Sequence, residues 1–175
     1  MRLVEVVRRI SVCIGEYYFC CNTKSRPEVS EDDWKAYMDI IRKARFSKED
    51  LTEEEFEKIK EHPLVGIEML ETIIYGVGEN DYLQFAYDMV LNHHEKWDGS
   101  GYPKGLKGEE IPLCARIMAV ADVFDALISK RCYKNSMSID EAFGIIEKDS
   151  GSHFDPDVAQ TFLGLREEIE QYINR

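Results

Sequence analysis

Apolar residues recur at helical spacing along most of the chain. Leu83, Ala86, Tyr87, Val90, Leu91 and His94 trace one face of an amphipathic helix, which places the adjacent His93 and His94 at its C-terminal end, near the buried side. A longer stripe runs through Leu113, Ile117, Val120, Ala121, Phe124, Leu127 and Ile128, with Asp122 at its border rather than opposite it. Between these stripes the pattern breaks: four glycines and two prolines from Gly99 to Pro112 predict a long irregular loop. Helix boundaries are equally explicit. Thr52-x-x-Glu55 and Ser138-x-x-Glu141 are capping boxes, and Asp155-Pro156 opens a last helix. Pro63 disfavours helical geometry in His62, ending the helix from Thr52 near there, and itself suits the start of a second helix. Toward the N-terminus, the apolar run Leu3 to Phe19 reads as a helix, although Val12, Ile14, Tyr17, Tyr18 and Phe19 also suit a strand. Asn22 to Glu31 is a connector, and Ser30-x-x-Asp33 caps a helix through about Lys43. The sum is an all-α helical bundle.

Composition narrows the function classes. A chain of 175 residues with 44% hydrophobic positions can bury one sizeable core. The formal net charge of -12 repels nucleic acid polymers and anionic membrane surfaces, so neither is an expected partner. The five cysteines are odd in number and lack C-x-x-C spacing, and no 18-residue apolar run or signal peptide is evident, so a reducing cytoplasmic setting is expected. Cys20-Cys21 could in principle bind metal, but adjacent cysteines without a second pair read as small apolar residues.

The densest chemistry lies in His93-His94-Glu95-Lys96-Trp97-Asp98-Gly99-Ser100-Gly101-Tyr102-Pro103. Imidazole is the commonest side-chain ligand for transition metals. A His-His pair at a helix end can also cap carbonyls and favour the dipole. A second concentration is Lys130-Arg131-Cys132-Tyr133-Lys134, the densest basic cluster in the C-terminal half of an acidic chain.

The residues after the histidines extend this pattern through Gly105-Leu106-x-Gly108-x-x-Ile111-Pro112, Ala115-Arg116-Ile117, Ala119-Val120-Ala121-Asp122-Val123-Phe124-Asp125-Ala126-Leu127 and Ser150-Gly151-x-His153-Phe154-Asp155-Pro156. Together with Leu51 to Phe56 and His62-Pro63, they resemble the HD-GYP family, a branch of the HD-domain metal-dependent phosphohydrolases associated with cyclic di-GMP hydrolysis. The resemblance covers about residues 51 to 165. It implies an HD-domain-like helical bundle over 51–175 with a long Gly/Pro-rich GYP loop, preceded by a divergent segment 1–50 belonging to the same domain. It also implies His62, His93, His94 and Asp122 as ligands of a divalent transition metal, iron or manganese first. Asp122 read without the resemblance is a structural partner of Arg116. Tyr102, Arg131 and Lys134 fall where the family contacts the cyclic dinucleotide, an aromatic face and two cations suiting a guanine base and phosphates.

One part of the family's pattern is missing. Its name comes from a His-Asp pair, usually within His-Asp-x-Gly-Lys, yet the four histidines here are His62, His93, His94 and His153, leaving none in residues 1–61. Glu31-Asp32-Asp33-Trp34-Lys35 is the nearest candidate substitute, with Asp32 and Lys35 in the aspartate and lysine positions and Glu31 for histidine. The commoner reading of such residues is an acidic helix N-terminus. Fewer ligands lower metal affinity, so occupancy is expected to be partial or nil and catalysis weak or lost. Two functions follow: a cyclic di-GMP phosphodiesterase with a degenerate metal site, or a catalytically inactive module that binds a nucleotide, a protein partner or a second copy of itself in signalling regulation.

Overall fold

The computed structural model describes residues 35, 36, 39, 40, 43, 52–77, 81–128 and 137–173. Among them are helices and turns with no strand beyond one isolated bridge, Ser150 with Phe154. The fold is all-α, as the hydrophobic periodicity predicts.

The N-terminal unit is represented by helical residues at Lys35, Ala36, Asp39, Ile40 and Lys43, and by α1 (Glu53–Ile59). Thr52 and Glu55 close a reciprocal capping box, and Glu55 also accepts two hydrogen bonds from Lys43 Nζ, at 3.0 and 2.8 Å. The Lys43 ammonium and the Thr52 backbone hold the Glu55 carboxyl below its ordinary range. Glu31 and Asp32 lie outside the described residues, as do Arg131 and Lys134, and Lys35 is exposed on its helix.

The larger unit is built from α2 (His62–Val77), α3 (Asp81–Asn92), α4 (Leu113–Ile128), α5 (Ile139–Lys148), α6 (Pro156–Gly164) and α7 (Arg166–Ile173). Its core joins α4, α5 and α6. Val120 and Phe124 pack with Ala142, Phe143, Ile146, Phe154 and Ala159, all buried. Phe124, Phe143 and Phe162 form an aromatic trio with centroids 4.9, 5.0 and 5.6 Å apart. Each such pair contributes about 0.5–1.5 kcal/mol beyond the area it buries. Ser138 caps α5 through its box with Glu141, and Asp155 caps α6 through its Oδ1, with Pro156 at the first helical position. The segment expected to be one last helix is two: α6 ends at Gly164, Leu165 turns the chain, and α7 follows. Glycine lacks the Cβ that would favour continuing the helix there.

The helix α3 packs on α4, and that contact carries the histidine pair to the site. α3 ends at Asn92, two residues short of a helix through His94, so His93 and His94 occupy the turn just beyond it.

Candidate metal and ligand site

His62 is the first residue of α2, and its ring Nδ1 lies 2.7 Å from the Ile59 carbonyl. His93 Nδ1 lies 2.9 Å from the Val90 carbonyl. A carbonyl can only accept, so each Nδ1 carries the proton and donates, which puts the ligating lone pair of both rings on Nε2. This is the arrangement in which a backbone oxygen fixes the tautomer of a metal-binding imidazole. One ligand atom from each of His62, His93 and His94 lies within 4.8 Å of the other two. Burial pulls the His93 ring below its ordinary value, against the opposing charge of Asp122, and so favours the neutral form that ligates. The donor set therefore fits a borderline transition metal: three imidazoles, half-buried, two of them with assigned tautomers.

Asp122, midway along α4, is close enough for its charge to act on His93, but it is not one of the three clustered residues. The bland reading, Asp122 as partner of Arg116, is not what forms: Arg116 donates to Asp155 Oδ2 at 2.5 Å, across 39 residues of sequence. Arg116 also lies over the Trp97 ring, 5.7 Å from its centroid. The spacing within Ala115-Arg116-Ile117 holds no signal for so distant a partner.

The loop after the histidines folds back onto them. The Tyr102 amide donates to the His94 carbonyl at 3.2 Å, and the Tyr102 ring stacks on the His94 imidazole at 4.8 Å and 23°. The loop is tied elsewhere too: Trp97 and Asp98 donate to the carbonyls of His153 and Ser152 at 3.1 and 2.9 Å. His153 thus serves through its backbone. Its ring, stacked on Phe154, is held below its ordinary value by burial first and by Lys96 next. Glu95, which the sequence reading left without a role, is buried and accepts hydrogen bonds from two loop amides, Lys104 and Leu106. The only advance signal was its place before a glycine-rich loop, whose irregular backbone must find acceptors somewhere.

Asp155 is the buried hinge of this assembly, with one oxygen capping α6 and the other paired with Arg116. Arg116→Ala leaves that carboxylate buried without its cation. The expected cost is about 3 kcal/mol, the low end for breaking a buried pair from one side. Urea unfolding measures it, and a loss below about 0.5 kcal/mol would place the pair among solvent-screened ones.

The HD domain family matches residues 41–158 of this chain. A cyclic di-GMP phosphodiesterase of Vibrio cholerae serotype O1 is 51% identical over 119 residues, covering 68% of this chain and 24% of the relative. A cyclic di-GMP phosphodiesterase of Thermotoga maritima is 46% identical over 125 residues, covering 71% and 33%. A 3'3'-cGAMP-specific phosphodiesterase of Vibrio cholerae is 37% identical over 113 residues, covering 65% and 21%. The chain therefore spans about a fifth to a third of the length of these curated relatives. It belongs to the HD-GYP family of HD domains. Among the described residues, no helix is long and apolar enough to cross a membrane.

Proposed function

We propose that this chain is a metal-dependent phosphohydrolase domain acting on a cyclic dinucleotide, cyclic di-GMP first, with a metal site reduced from the family's. The observation that carries the reading is the cluster of His62, His93 and His94, two of its rings held at Nδ1 by backbone carbonyls, beneath a loop whose Tyr102 stacks on the third. Iron or manganese suits this set, held by His62, His93 and His94, with Asp122 adding negative charge beside His93. When a divalent metal is bound, the chemistry supplied is water activation at neutral pH and neutralisation of phosphoryl charge.

The chain's own residues do the rest. The Ile59 and Val90 carbonyls hold protons at Nδ1 of His62 and His93 and orient the rings. Burial keeps His93 neutral. The Tyr102 ring stacks on His94, and the family resemblance assigns Arg131 and Lys134, outside the described residues, as cations for the phosphates. Relatives named for cyclic di-GMP and for 3'3'-cGAMP support a cyclic dinucleotide as the substrate class.

A second reading is favoured by one observation, the absence of histidine from residues 1–61, where the family places its His-Asp pair. On that reading the domain binds a cyclic dinucleotide, a protein or a second copy of itself, and regulates without turnover. Incubating the whole chain with cyclic di-GMP and Mn or Fe, and following pGpG and GMP, separates the two. Slow metal-dependent release, abolished in His93→Ala, is the expected result. Saturable binding of cyclic di-GMP with no product supports the regulatory reading in its nucleotide-binding form, and neither binding nor release overturns the hydrolytic and the nucleotide-binding readings alike.

A further inference from the structure

We infer that Glu95 is a positioning residue, a buried clamp that holds Tyr102 on the His94 imidazole. Glu95 is 2% exposed. Its Oε1 accepts from the Lys104 amide at 2.7 Å and its Oε2 from the Leu106 amide at 3.0 Å. Among the described residues it forms no ion pair. A carboxylate so buried is costly unless hydrogen bonds satisfy it, and a neutral side chain of like size would avoid the cost. What its charge provides is two strong bonds to backbone groups of one loop.

Those bonds fix the arm of the loop that follows Tyr102. The arm before it is fixed by a different contact: a Cβ on Gly101 would stand 2.3 Å from Lys96 N and 2.5 Å from Glu95 Cα, so the loop backbone lies directly against the chain at Glu95. Tyr102 sits between the two anchors. Its amide lies on the His94 carbonyl and its ring stacks on the His94 imidazole. Glu95 therefore acts on His94 through Tyr102. Its neighbours differ in kind: Trp97 and Asp98 tie the loop to Ser152 and His153, away from the imidazoles.

The inference rests on the metal reading only for the second of two readouts. The first uses the metal-free chain and the ring-proton resonance of His94, assigned by its disappearance in His94→Ala. Stacking under Tyr102 moves that resonance upfield. Tyr102→Leu should remove the shift, and Glu95→Gln, which keeps the shape but turns an amide NH2 donor toward one backbone N–H, should remove part of it. A resonance unmoved by Glu95→Gln overturns the inference. The second readout is Co(II) affinity, read from its visible absorption. Glu95→Gln should weaken it about tenfold, as loss of an outer support does. The same change in a Tyr102→Leu background should add nothing, because the two act in series. A merely structural Glu95 predicts a lower melting temperature with Co(II) affinity unchanged, which also overturns the inference. A wild-type chain that takes up no Co(II) removes the metal reading, and the ring shift then decides the role of Glu95 alone.

Discussion

His93→Ala is expected to lower the affinity of the folded chain for Mn(II) or Co(II) by about 100-fold or more, beyond the 10–100-fold range for an outer partner. His93 combines what the other candidates hold separately: a proton fixed on Nδ1 by the Val90 carbonyl, burial that keeps the ring neutral, and Asp122 nearby. Metal binding also links to stability. At a free concentration 100 times the dissociation constant, a metal that binds only the folded chain adds about 2.7 kcal/mol. Wild type should therefore melt higher with Mn(II) than with chelator, and that difference should vanish in His93→Ala. The metal-free variant should fold, since it removes a desolvated polar ring rather than a core hydrocarbon. Calorimetric titration and paired melts check both halves. An equal metal-induced shift in both proteins would exclude His93 as a ligand.

Gly101→Ala is expected to be the most damaging single methyl group in the loop. The added Cβ would meet only backbone, at 2.3, 2.5 and 2.6 Å, and no flexible side chain can give way. Ordinary overpacking costs about 1–3 kcal/mol, so a loss of about 3 kcal/mol or more is expected, with the Tyr102–His94 stack lost alongside. Gly144 is the control. It lies in α5 with nothing within 4 Å of its would-be Cβ, so Gly144→Ala should stabilise by about 0.5–1 kcal/mol. Urea unfolding of the two variants should give opposite signs. Equal small effects would mean that the loop backbone does not lie against Glu95.

Local chemistry was the part of this fold most legible in the sequence. Thr52-x-x-Glu55, Ser138-x-x-Glu141 and Asp155-Pro156 each specify a helix start within four residues, and each forms as read. The stripes of α3 and α4 were equally plain, because a 3.6-residue period records which face is buried. Long-range pairing left no such trace. Arg116 could have met Asp122 on its own helix or Asp155 across the fold, and only packing chooses. Glu95 was silent for a related reason: its partners are backbone amides, which every residue type supplies. In the site, one ligand atom from each of His62, His93 and His94 lies within 4.8 Å of the other two, while Asp122 acts on His93 through its charge. The break at Gly164–Leu165 escaped the pattern because apolar spacing continues across it, through Phe162 to Ile169.

That this HD-GYP chain holds a transition metal on its three clustered imidazoles is the proposal on which its function rests. Its most direct test is the metal content of the whole chain after reconstitution with Mn(II) or Fe(II) and removal of free ion, measured beside a His62→Ala, His93→Ala, His94→Ala triple variant of confirmed helical content. Bound metal in wild type and none in the triple variant is the expected result. Wild type without metal, or a triple variant that retains as much as wild type, would contradict it.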